Sequence, residues 1–214
     1  MKIVSIILAR GGSKGIPNKN IISLNGKPLI SYVIKVSKKS KINETWVSTD
    51  SEKIKKVAKS YGAKVIDRPK TISEDFSKSE EALKHFSENV KFDILVFIQP
   101  TSPLLKESDI NKGIAMITNK NNNYDSVFSA YKEHWIPRWS KDIQPINWNI
   151  KSRPMRQERA EEYIENGAFY ITTKKQFLNS KLRYSGNIGI VKMPNYRSFQ
   201  VDTLENLKLI GKLL

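Results

Sequence analysis

Residues 3–9 read I-V-S-I-I-L-A and are followed at once by R-G-G-S-K-G at residues 10–15. A near-continuous apolar run that ends abruptly in glycines is typical of a parallel β-strand buried on both faces. Glycines after such a strand let the backbone come close to a ligand, and they orient successive N–H groups toward an anion. This stretch therefore predicts an α/β sheet with an anion site where its first strand ends.

Strand and helix patterns alternate from this stretch up to residue 130. Apolar residues at helical spacing predict helices over residues 28–40, 54–61, 77–90 and 110–117, and strand patterns occupy residues 45–49, 63–69, 93–98 and 126–130. Two more strand patterns, at residues 167–172 and 188–193, precede a last helix that begins near Thr203. The alternation predicts a single α/β domain over residues 1–214, with a doubly wound, mainly parallel sheet.

Ligands in such sheets bind beyond the carboxyl ends of the strands. In this chain those ends read R-G-G-S-K, S-T-D, D-R-P and Q-P-T-S-P. We therefore expect these four segments to form one site.

The alternation fails between residues 131 and 163. This stretch contains Trp135, Trp139 and Trp148, several prolines and the charged run M-R-Q-E-R-A-E-E. Large aromatic residues without a clear period suit a protruding arm that packs on another surface. We predict a dimerisation arm here.

Composition limits the classes of function. The 214 residues include 37 Lys and Arg against 21 Asp and Glu, a formal net charge of +16. Most of these cations are lysines on the polar faces of predicted helices, so we assign a role only to cations within a motif. The absence of cysteine excludes disulfides, zinc–thiolate sites and a cysteine nucleophile. No stretch approaches the roughly 20 apolar residues of a membrane helix, and the opening run is too short for a signal peptide. We expect a cytoplasmic protein with no membrane and no nucleic-acid partner.

Three cations, Arg10, Lys14 and Lys19, surround the glycine turn. The turn is not a P-loop, which needs G-x-x-x-x-G-K-[ST], because Ser13 precedes Lys14 here. Nor do residues 11–15 supply the G-x-G-x-x-G of a dinucleotide-binding turn. Three cations on one turn suit a triphosphate better than a lone carboxylate, with a basic surface loop as the alternative.

The segment L-A-R-G-G-S-K-G-I-P-N-K-N at residues 8–20 resembles the signature L-A-R-x-x-S-K-x-x-x-x-K-N of acylneuraminate cytidylyltransferases, the CMP-sialic acid synthetases. Further blocks follow in family order over nearly the whole chain: S-T-D at 48–50, R-P at 68–69, Q-P-T-S-P at 99–103, R-Q at 156–157, N-G-A-F-Y at 166–170 and V-D-T at 201–203. Each later block is weak alone, but the opening block together with Q-P-T-S-P is specific.

The resemblance implies a Rossmann-like nucleotidyltransferase that transfers CMP from CTP to a 2-keto sugar acid and releases pyrophosphate, for cell-surface glycan synthesis. It implies Mg²⁺, or Mn²⁺, as the cofactor and a homodimer as the assembly. Among the acidic nine-carbon (nonulosonic) sugars, sialic or legionaminic acid is placed first. Pseudaminic acid and the shorter 2-keto-3-deoxyoctonate remain alternatives.

The same resemblance assigns roles to residues. Catalysis is assigned to Arg10, Lys19 and Asp202. Nucleotide binding is assigned to Arg10, Gly11, Gly12, Ser13, Asn20 and Arg68, and sugar binding to Gln99, Arg156, Asn166 and Tyr170. These residue types suit the reaction, because cations and amides stabilise charge on phosphoryl oxygens and an arginine can bind a carboxylate bidentately.

One position departs from the family. Where the family has I-D-I-D-T, this chain reads F-Q-V-D-T at residues 199–203, so that Gln200 replaces the first acid and Asp202 remains. An amide oxygen can still bind Mg²⁺ directly or through water, since this ion keeps several waters and relies on phosphates. We assign the metal to Asp202 and leave Gln200 open as a second ligand. A weakened site is the alternative.

Other acids and both histidines have competing structural roles. Asp202 precedes a helix that it could cap, and Asp50 lies within a Thr49-x-x-Glu52 capping box. Asp75 suits either a substrate contact or a solvated loop. His134 suits the sugar pocket or a subunit contact, whereas His85 is expected on the surface.

Two other classes of function stay open at this point. A basic nucleic-acid-binding protein would need aromatic residues interleaved with cations, whereas the tryptophans here concentrate in one arm. A non-catalytic assembly protein is suggested only by Gln200.

Overall fold

The computed structural model describes residues 1–13, 15–119, 121–158 and 161–214, and of Arg156 it describes the backbone alone. The strands are β1 Ile3–Leu8, β2 Ser23–Leu24, β3 Lys27–Pro28, β4 Glu44–Thr49, β5 Lys64–Asp67, β6 Ile94–Ile98, β7 Ser126–Glu133, β8 Glu162–Thr173 and β9 Ile188–Lys192. The α-helices are α1 Leu29–Lys39, α2 Glu52–Ser60, α3 Ser79–Asn89, α4 Glu107–Thr118, α5 Lys174–Ser180 and α6 Leu204–Leu213. Short 3-10 helices cover Lys19–Ile21, Lys70–Ile72, Arg156–Glu158 and Asn195–Arg197.

One sheet of seven strands, in the order β5-β4-β1-β6-β8-β7-β9, organises the molecule. β1 is parallel to β4 and β6, β4 to β5, and β7 to β9. The predicted doubly wound, mainly parallel α/β sheet is therefore confirmed. From β1 the chain moves outward through β4 and β5 and then returns to β6 on the other side. Such a reversal leaves a crevice beyond the carboxyl ends of the strands, where ligands bind in folds of this kind.

Strand β8 departs from the parallel arrangement. It lies between β6 and β7 and is antiparallel to both. Its first residues pair with the end of β7, from Ala130 opposite Glu165 to Glu133 opposite Glu162. The two strands thus form a ladder that leads out to residues 134–161.

The core explains why the opening strand is apolar almost throughout. Ile3 and Ile7 face a cluster that also includes side chains from α1, α2 and α4. Val4 and Ile6 face a second cluster, on the other side of the sheet, that includes side chains from α3 and α5. Because both faces of β1 are covered, alternation between apolar and polar residues is lost.

The predicted arm at residues 131–163 is in part regular structure, because β7 runs to Glu133 and β8 begins at Glu162. Between them lie the 3-10 helix Arg156–Glu158 and two isolated bridges, Trp139–Pro145 and Asn149–Ser152. Large apolar side chains are exposed here: Ile136, Trp139, Ile143, Ile146, Ile150 and Met155. The role of this segment in dimerisation stays a prediction.

Among the described residues, no helix combines the length and the apolar character that crossing a membrane requires.

Candidate active site

A cleft of about 300 Å³ opens at the carboxyl ends of β1, β5 and β6. Its lining includes these predicted site residues: Arg10, Ser13, Lys19, Asn20, Arg68 and Gln99. Its other lining residues are Leu8, Gly15, Asp75, Ser77, Lys78, Ser79, Pro100 and Thr101. The cleft thus gathers three of the four predicted segments, R-G-G-S-K, D-R-P and Q-P-T-S-P, whereas no residue of S-T-D is in its lining.

The turn after β1 is held by side chains from two directions. The Gly11 N–H donates to Asp50 Oδ1 at 2.8 Å, and Asn20 Nδ2 donates to the Arg10 carbonyl at 3.0 Å. A Cβ on Gly11 would lie 3.0 Å from Ser51 Cβ, so this glycine also permits the close approach of α2. Gly11 and Gly12 are not among the residues that line the cleft. Their nucleotide role stays a prediction, and Lys14 falls outside the described residues.

Arg10 reaches across the cleft to the loop before α3. Its Nη2 lies 2.9 Å from Asp75 Oδ1, and both side chains are partly exposed. Asp75 is thus a residue of the cleft rather than a solvated loop acid. It lines the cleft and forms an ion pair with Arg10, which is predicted to bind the triphosphate.

Arg68 is buried behind the turn. Its Nε donates to Ser48 Oγ at 3.0 Å, and its Nη2 donates to the Ser48 carbonyl at 2.8 Å. The pKa of Arg68 is lowered from 12.5 to about 10, chiefly by burial; the charge of Asp50 opposes this shift and the charge of Arg10 contributes to it. The guanidinium is still a cation at neutral pH, and two of its nitrogens are fixed by β4.

Lys19 and Asp202 form a second ion pair at the cleft, with Lys19 Nζ 3.1 Å from Asp202 Oδ1. The capping role considered for Asp202 falls instead to Thr203, whose side chain accepts from the Asn206 N–H at 3.1 Å. The carboxylate of Asp202 is 64% exposed, so it can reach a ligand in the cleft.

The N-G-A-F-Y segment forms a wide bulge in β8. The register passes from Phe128 opposite Tyr170 to Ala130 opposite Glu165, so the residues between these pairs face Ser129 alone. The Ser129 hydroxyl donates to Asn166 Oδ1 at 2.6 Å and accepts the Phe169 N–H at 3.0 Å. Bulges near active sites redirect side chains in this way.

Asn166 holds this bulge together. Its Oδ1 also accepts the Ala168 N–H at 3.1 Å, and its Nδ2 donates to Ser198 Oγ at 2.9 Å. The side chain is buried. The structure thus shows a local bracing role for Asn166, and a direct contact with the sugar stays a prediction.

Tyr170 lies in an aromatic stack on the same side of the sheet as α3. Its ring stacks on Phe97 and Tyr184, with centroid distances of 5.5 and 5.8 Å, and Arg183 packs 5.1 Å from its centroid. Its hydroxyl donates to Glu165. Burial, followed by this hydrogen bond, raises the pKa of Tyr170, so the phenol is neutral and acts as a donor.

Several predicted residues lie beside the cleft rather than in its lining: Asn166, Tyr170, Gln200 and Asp202. Gln99 connects them to the cleft, since its N–H donates to the Ala168 carbonyl at 3.0 Å. The Arg156 side chain lies outside the described part of the chain.

Sequence reasoning missed the supporting residues Ser48 and Glu165, and it missed Ser77–Ser79 in the lining. Ser48 lies in the S-T-D block but had no assigned role, whereas Glu165 and Ser77–Ser79 belong to no motif and are brought to the site by the fold. His134 lines a separate cavity of about 410 Å³ with Trp135 and Arg153, whereas His85 lies on α3. Neither histidine lines the first cleft.

The predicted metal ligand Asp202 offers a single carboxylate to a divalent metal. Among the described residues no group of three or more His, Asp or Glu side chains could hold a metal ion. Asp202 alone fits Mg²⁺ if phosphate oxygens and water complete the shell, which is how this ion is usually bound beside phosphates.

Comparison with known proteins identifies the group to which the chain belongs. The family profile described as Cytidylyltransferase matches residues 4–213. The chain belongs to the cytidylyltransferase family. The family resemblance of the L-A-R-G-G-S-K block and its companions is thereby confirmed.

Curated members of the family cover most of the chain. The N-acylneuraminate cytidylyltransferase A of Danio rerio is 40% identical, over 94% of this chain and 48% of the relative. The pseudaminic acid cytidylyltransferase of Campylobacter jejuni strain 81-176 is 32% identical, over 97% of this chain and 94% of the relative. The chain therefore spans about half the length of the Danio rerio relative and nearly all of the Campylobacter jejuni one.

Solved structures of other cytidylyltransferases share the fold. A CMP:2-keto-3-deoxy-manno-octonic acid synthetase complexed with CTP gives a TM-score of 0.76 at 20% identity, covering 100% of this chain and 98% of that chain. A 4-diphosphocytidyl-2C-methyl-D-erythritol synthase from Anaerococcus prevotii gives 0.68 at 15% identity, covering 99% and 97%. At these identities the likeness concerns the fold alone.

Proposed function

We propose that this cytidylyltransferase transfers CMP from CTP to an acidic nine-carbon 2-keto sugar, of the sialic or legionaminic type, and releases pyrophosphate. The observation that carries the proposal is the cleft at the switch point of the sheet, where Arg10, Lys19 and Arg68 converge. The names of the relatives support a sugar acid as the acceptor and a cytidine nucleotide as the donor.

The triphosphate would lie on the turn after β1. Arg10 and Lys19 line the cleft and are paired only with partly exposed acids in the described structure, so phosphate oxygens can replace those acids. Attack of the sugar hydroxyl on the α-phosphorus forms a new P–O bond and breaks the bond to the β-phosphate. Cations placed in advance stabilise the charge that develops on the phosphoryl and pyrophosphate oxygens.

Cytidine would be held on the opposite wall by Asn20 and Arg68. Arg68 is fixed by Ser48, and Asn20 is fixed by the Arg10 carbonyl, so both are oriented before a ligand arrives. The loop at Ser77–Ser79 adds hydroxyl and backbone groups to this wall.

The sugar acid would bind between Gln99 and the bulge in β8. The neutral phenol of Tyr170 and the amide of Gln99 can hydrogen-bond to hydroxyl and acylamino groups. We assign the sugar carboxylate to Arg156 by resemblance, because a guanidinium binds a carboxylate bidentately.

Mg²⁺, or Mn²⁺ in its place, is proposed as the cofactor, with Asp202 as its protein ligand. When bound, the ion supplies neutralising charge to the phosphate oxygens. Before CTP binds, Lys19 orients Asp202, since its ammonium lies 3.1 Å from one carboxylate oxygen.

Pyrophosphate release tests the proposal. The protein is incubated with CTP, Mg²⁺ and each of four acids: N-acetylneuraminic, legionaminic, pseudaminic and 2-keto-3-deoxyoctonic acid. We expect release with the first or second and none with ATP or GTP. Release with pseudaminic or 2-keto-3-deoxyoctonic acid alone would replace the proposed sugar, and no release with any acid would refute the proposal.

We also propose a cytoplasmic homodimer in which the arm at residues 131–163 forms the contact. Exposed apolar side chains support this, with Ile143 75% and Ile150 62% exposed. Light scattering after size exclusion should give twice the monomer mass, and the double variant Ile143→Ser/Ile150→Ser should shift it toward the monomer. A monomeric wild type would contradict the proposal.

A further inference from the structure

Gln200 connects the two segments that flank the sugar side of the cleft. Its Oε1 accepts a hydrogen bond from Thr101 Oγ1 at 2.9 Å, in the loop after β6. Its Nε2 donates to the backbone carbonyl of Asn166, in the bulge of β8. One side chain thus joins segments of the chain that are distant in sequence.

The hydrogen-bonding groups of Asn166 and Thr101 determine which side chain is needed at position 200. The Asn166 carbonyl can only accept, so the atom that faces it must be a donor, and the amide orientation is set without ambiguity. The Thr101 hydroxyl then donates to the amide oxygen. A carboxylate at position 200 would bring an acceptor against the carbonyl of Asn166 and would lose one of the two bonds.

The backbone at Gly167 permits the close approach of Gln200 to the bulge. Its φ is +68°, which L side chains rarely adopt, and a Cβ there would lie 2.5 Å from Gln200 Nε2. A residue other than glycine would therefore push Gln200 away from the bulge.

The segment that carries Gln200 is itself anchored on both sides. The Val201 N–H donates to the Thr101 carbonyl at 2.9 Å, and Ser198 Oγ accepts from Asn166 Nδ2 at 2.9 Å. Just before them, Arg197 forms a buried bidentate ion pair with Asp109 at the start of α4. Gln200 is consequently presented to its partners from a fixed backbone.

We propose that Gln200 is a positioning residue that holds the β8 bulge against the loop after β6, and that it is not a ligand of the metal. Its effect on the reaction rests on the proposed function, and it acts through Thr101 and Asn166 on Gln99 and Tyr170. The metal then has Asp202 as its one protein carboxylate, with phosphate oxygens and water in the other places.

The bracing role is tested without substrate, metal or turnover. Hydrogen exchange of the amides at residues 166–168 is compared in the wild type, Gln200→Glu, Gln200→Ala and Thr101→Val. Each variant loses at least one of the part-buried hydrogen bonds that hold the bulge, so exchange should accelerate about tenfold. The double variant Gln200→Ala/Thr101→Val should exchange no faster than Gln200→Ala alone, because Gln200→Ala already removes both bonds of the bridge.

Gln144→Glu is the matched control, since it makes the same chemical change at an exposed position of the arm and should leave the exchange at residues 166–168 unchanged. Wild-type exchange rates in both Gln200→Ala and Thr101→Val would overturn the bracing role. Thr101→Val keeps Gln200 itself, so a folding defect of one Gln200 variant does not prevent the test.

A separate measurement tests whether Gln200 is a ligand of the metal. Mn²⁺ affinity is measured by electron paramagnetic resonance with CTP present and no sugar acid. Gln200→Glu should bind Mn²⁺ within twofold of the wild type, whereas a metal ligand at this position would make Gln200→Glu bind about tenfold more tightly and Gln200→Ala about tenfold more weakly.

Steady-state kinetics with N-acetylneuraminic acid test whether Gln200 affects the sugar side of the cleft. We expect the KM for the sugar acid to rise about tenfold in Gln200→Ala while the KM for CTP stays within twofold. A raised KM for CTP alone would contradict a role on the sugar side. If the wild type has no activity at all, the proposed function fails, but the exchange result still decides whether Gln200 braces the bulge.

Discussion

Two of the cations that line the cleft are each paired with an acid from another part of the chain. Arg10 contacts Asp75, and Lys19 contacts Asp202. All four groups are at least partly exposed, and such pairs contribute little to stability, about 0–1 kcal/mol. The cations are therefore available to a phosphate group, which binds more strongly than a single exposed carboxylate.

Replacement of Lys19 tests the triphosphate assignment. Lys19→Ala should weaken CTP binding by about tenfold or more, because one charge-assisted contact to phosphate is lost. The melting temperature should change little, since the ion-pair partner lost among the described residues, Asp202, is exposed. Calorimetric titration measures the affinity, and Lys59→Ala, an exposed lysine of α2, is the control. Unchanged affinity in Lys19→Ala would remove this residue from the site.

Replacement of Asp75 should have the opposite effect. Its carboxylate competes with phosphate for Arg10, so Asp75→Ala should tighten CTP binding about two- to fivefold at low salt, the range expected for an exposed ion pair. Asp142→Ala removes the same charge in the arm and should leave the affinity unchanged. Weaker binding in Asp75→Ala would mean instead that the carboxylate contacts the nucleoside.

At the scale of elements, the bulge in β8 and the start of α2 show how local structure serves the cleft. The bulge depends on Ser129, which is fully buried and bonds to both Asn166 and Phe169. At α2, the expected Thr49-x-x-Glu52 capping box is wrong, because Ser51 is the N-cap and accepts from the Ile54 N–H. Asp50 is thereby left to hold the Gly11 amide, which links β4 to the turn after β1.

Ser129→Ala should lower the free energy of unfolding by about 1–3 kcal/mol, because it leaves buried hydrogen-bonding groups without a partner. Ser31→Ala is the matched control: Ser31 is also fully buried, and its hydroxyl has no hydrogen-bond partner among the described residues. Urea unfolding should therefore show Ser31→Ala close to the wild type. Equal stability of both variants would show that the serine bonds do not support the bulge.

A charge cluster at the amino end of β4, away from the cleft, predicts that stability depends on pH. Glu44, at the start of β4, lies 2.9 Å from Lys64 and 3.1 Å from Lys2, and it accepts from Trp46 Nε1 at 2.9 Å. The hydrogen bond from Lys64, followed by that from Trp46, lowers the pKa of Glu44 from 4.5 to about 2. Its stabilisation is complete above the unfolded pKa and is lost as the pH falls from about 4.5 toward 2.

Glu44→Gln should accordingly be less stable than the wild type at pH 7, by about 1 kcal/mol, and the difference should shrink by pH 3. Urea unfolding at both pH values measures it. CTP affinity should not change, because Glu44 lies at the amino ends of the strands. A constant difference at the two pH values would show that the carboxylate charge does not stabilise the fold.

For the whole molecule, the sequence predicts the sheet and the location of the cleft, but it does not predict the full strand order or the long-range side-chain pairs. The run at Ile3–Leu8 is predictable because a strand covered on both faces must be apolar almost throughout. The insertion of β8 between β6 and β7 is not, since strand order is decided by long-range packing. The pairs Arg10–Asp75 and Gln200–Thr101 are equally unpredictable, because each joins segments that have no local relation.

The family resemblance supplied some of the long-range information that the sequence patterns lack. They brought Arg10, Lys19, Arg68 and Gln99 to one site without any geometric information, and the structure places all four in the lining of the cleft. They assigned Asn166 to the sugar, whereas the structure shows its side chain occupied by Ser129, Ala168 and Ser198. A motif records which residues belong to a site, but it does not distinguish a ligand contact from the support of one.

The destination of the α-phosphate of CTP distinguishes CMP transfer to a sugar acid from CTP binding alone. CTP labelled with ³²P at the α-phosphate is incubated with the protein, Mg²⁺ and N-acetylneuraminic or legionaminic acid, and the products are separated by thin-layer chromatography. We expect the label to move to a CMP ester of the sugar acid and the pyrophosphate formed to be unlabelled. Bound CTP that yields no labelled sugar ester with either acid would contradict it.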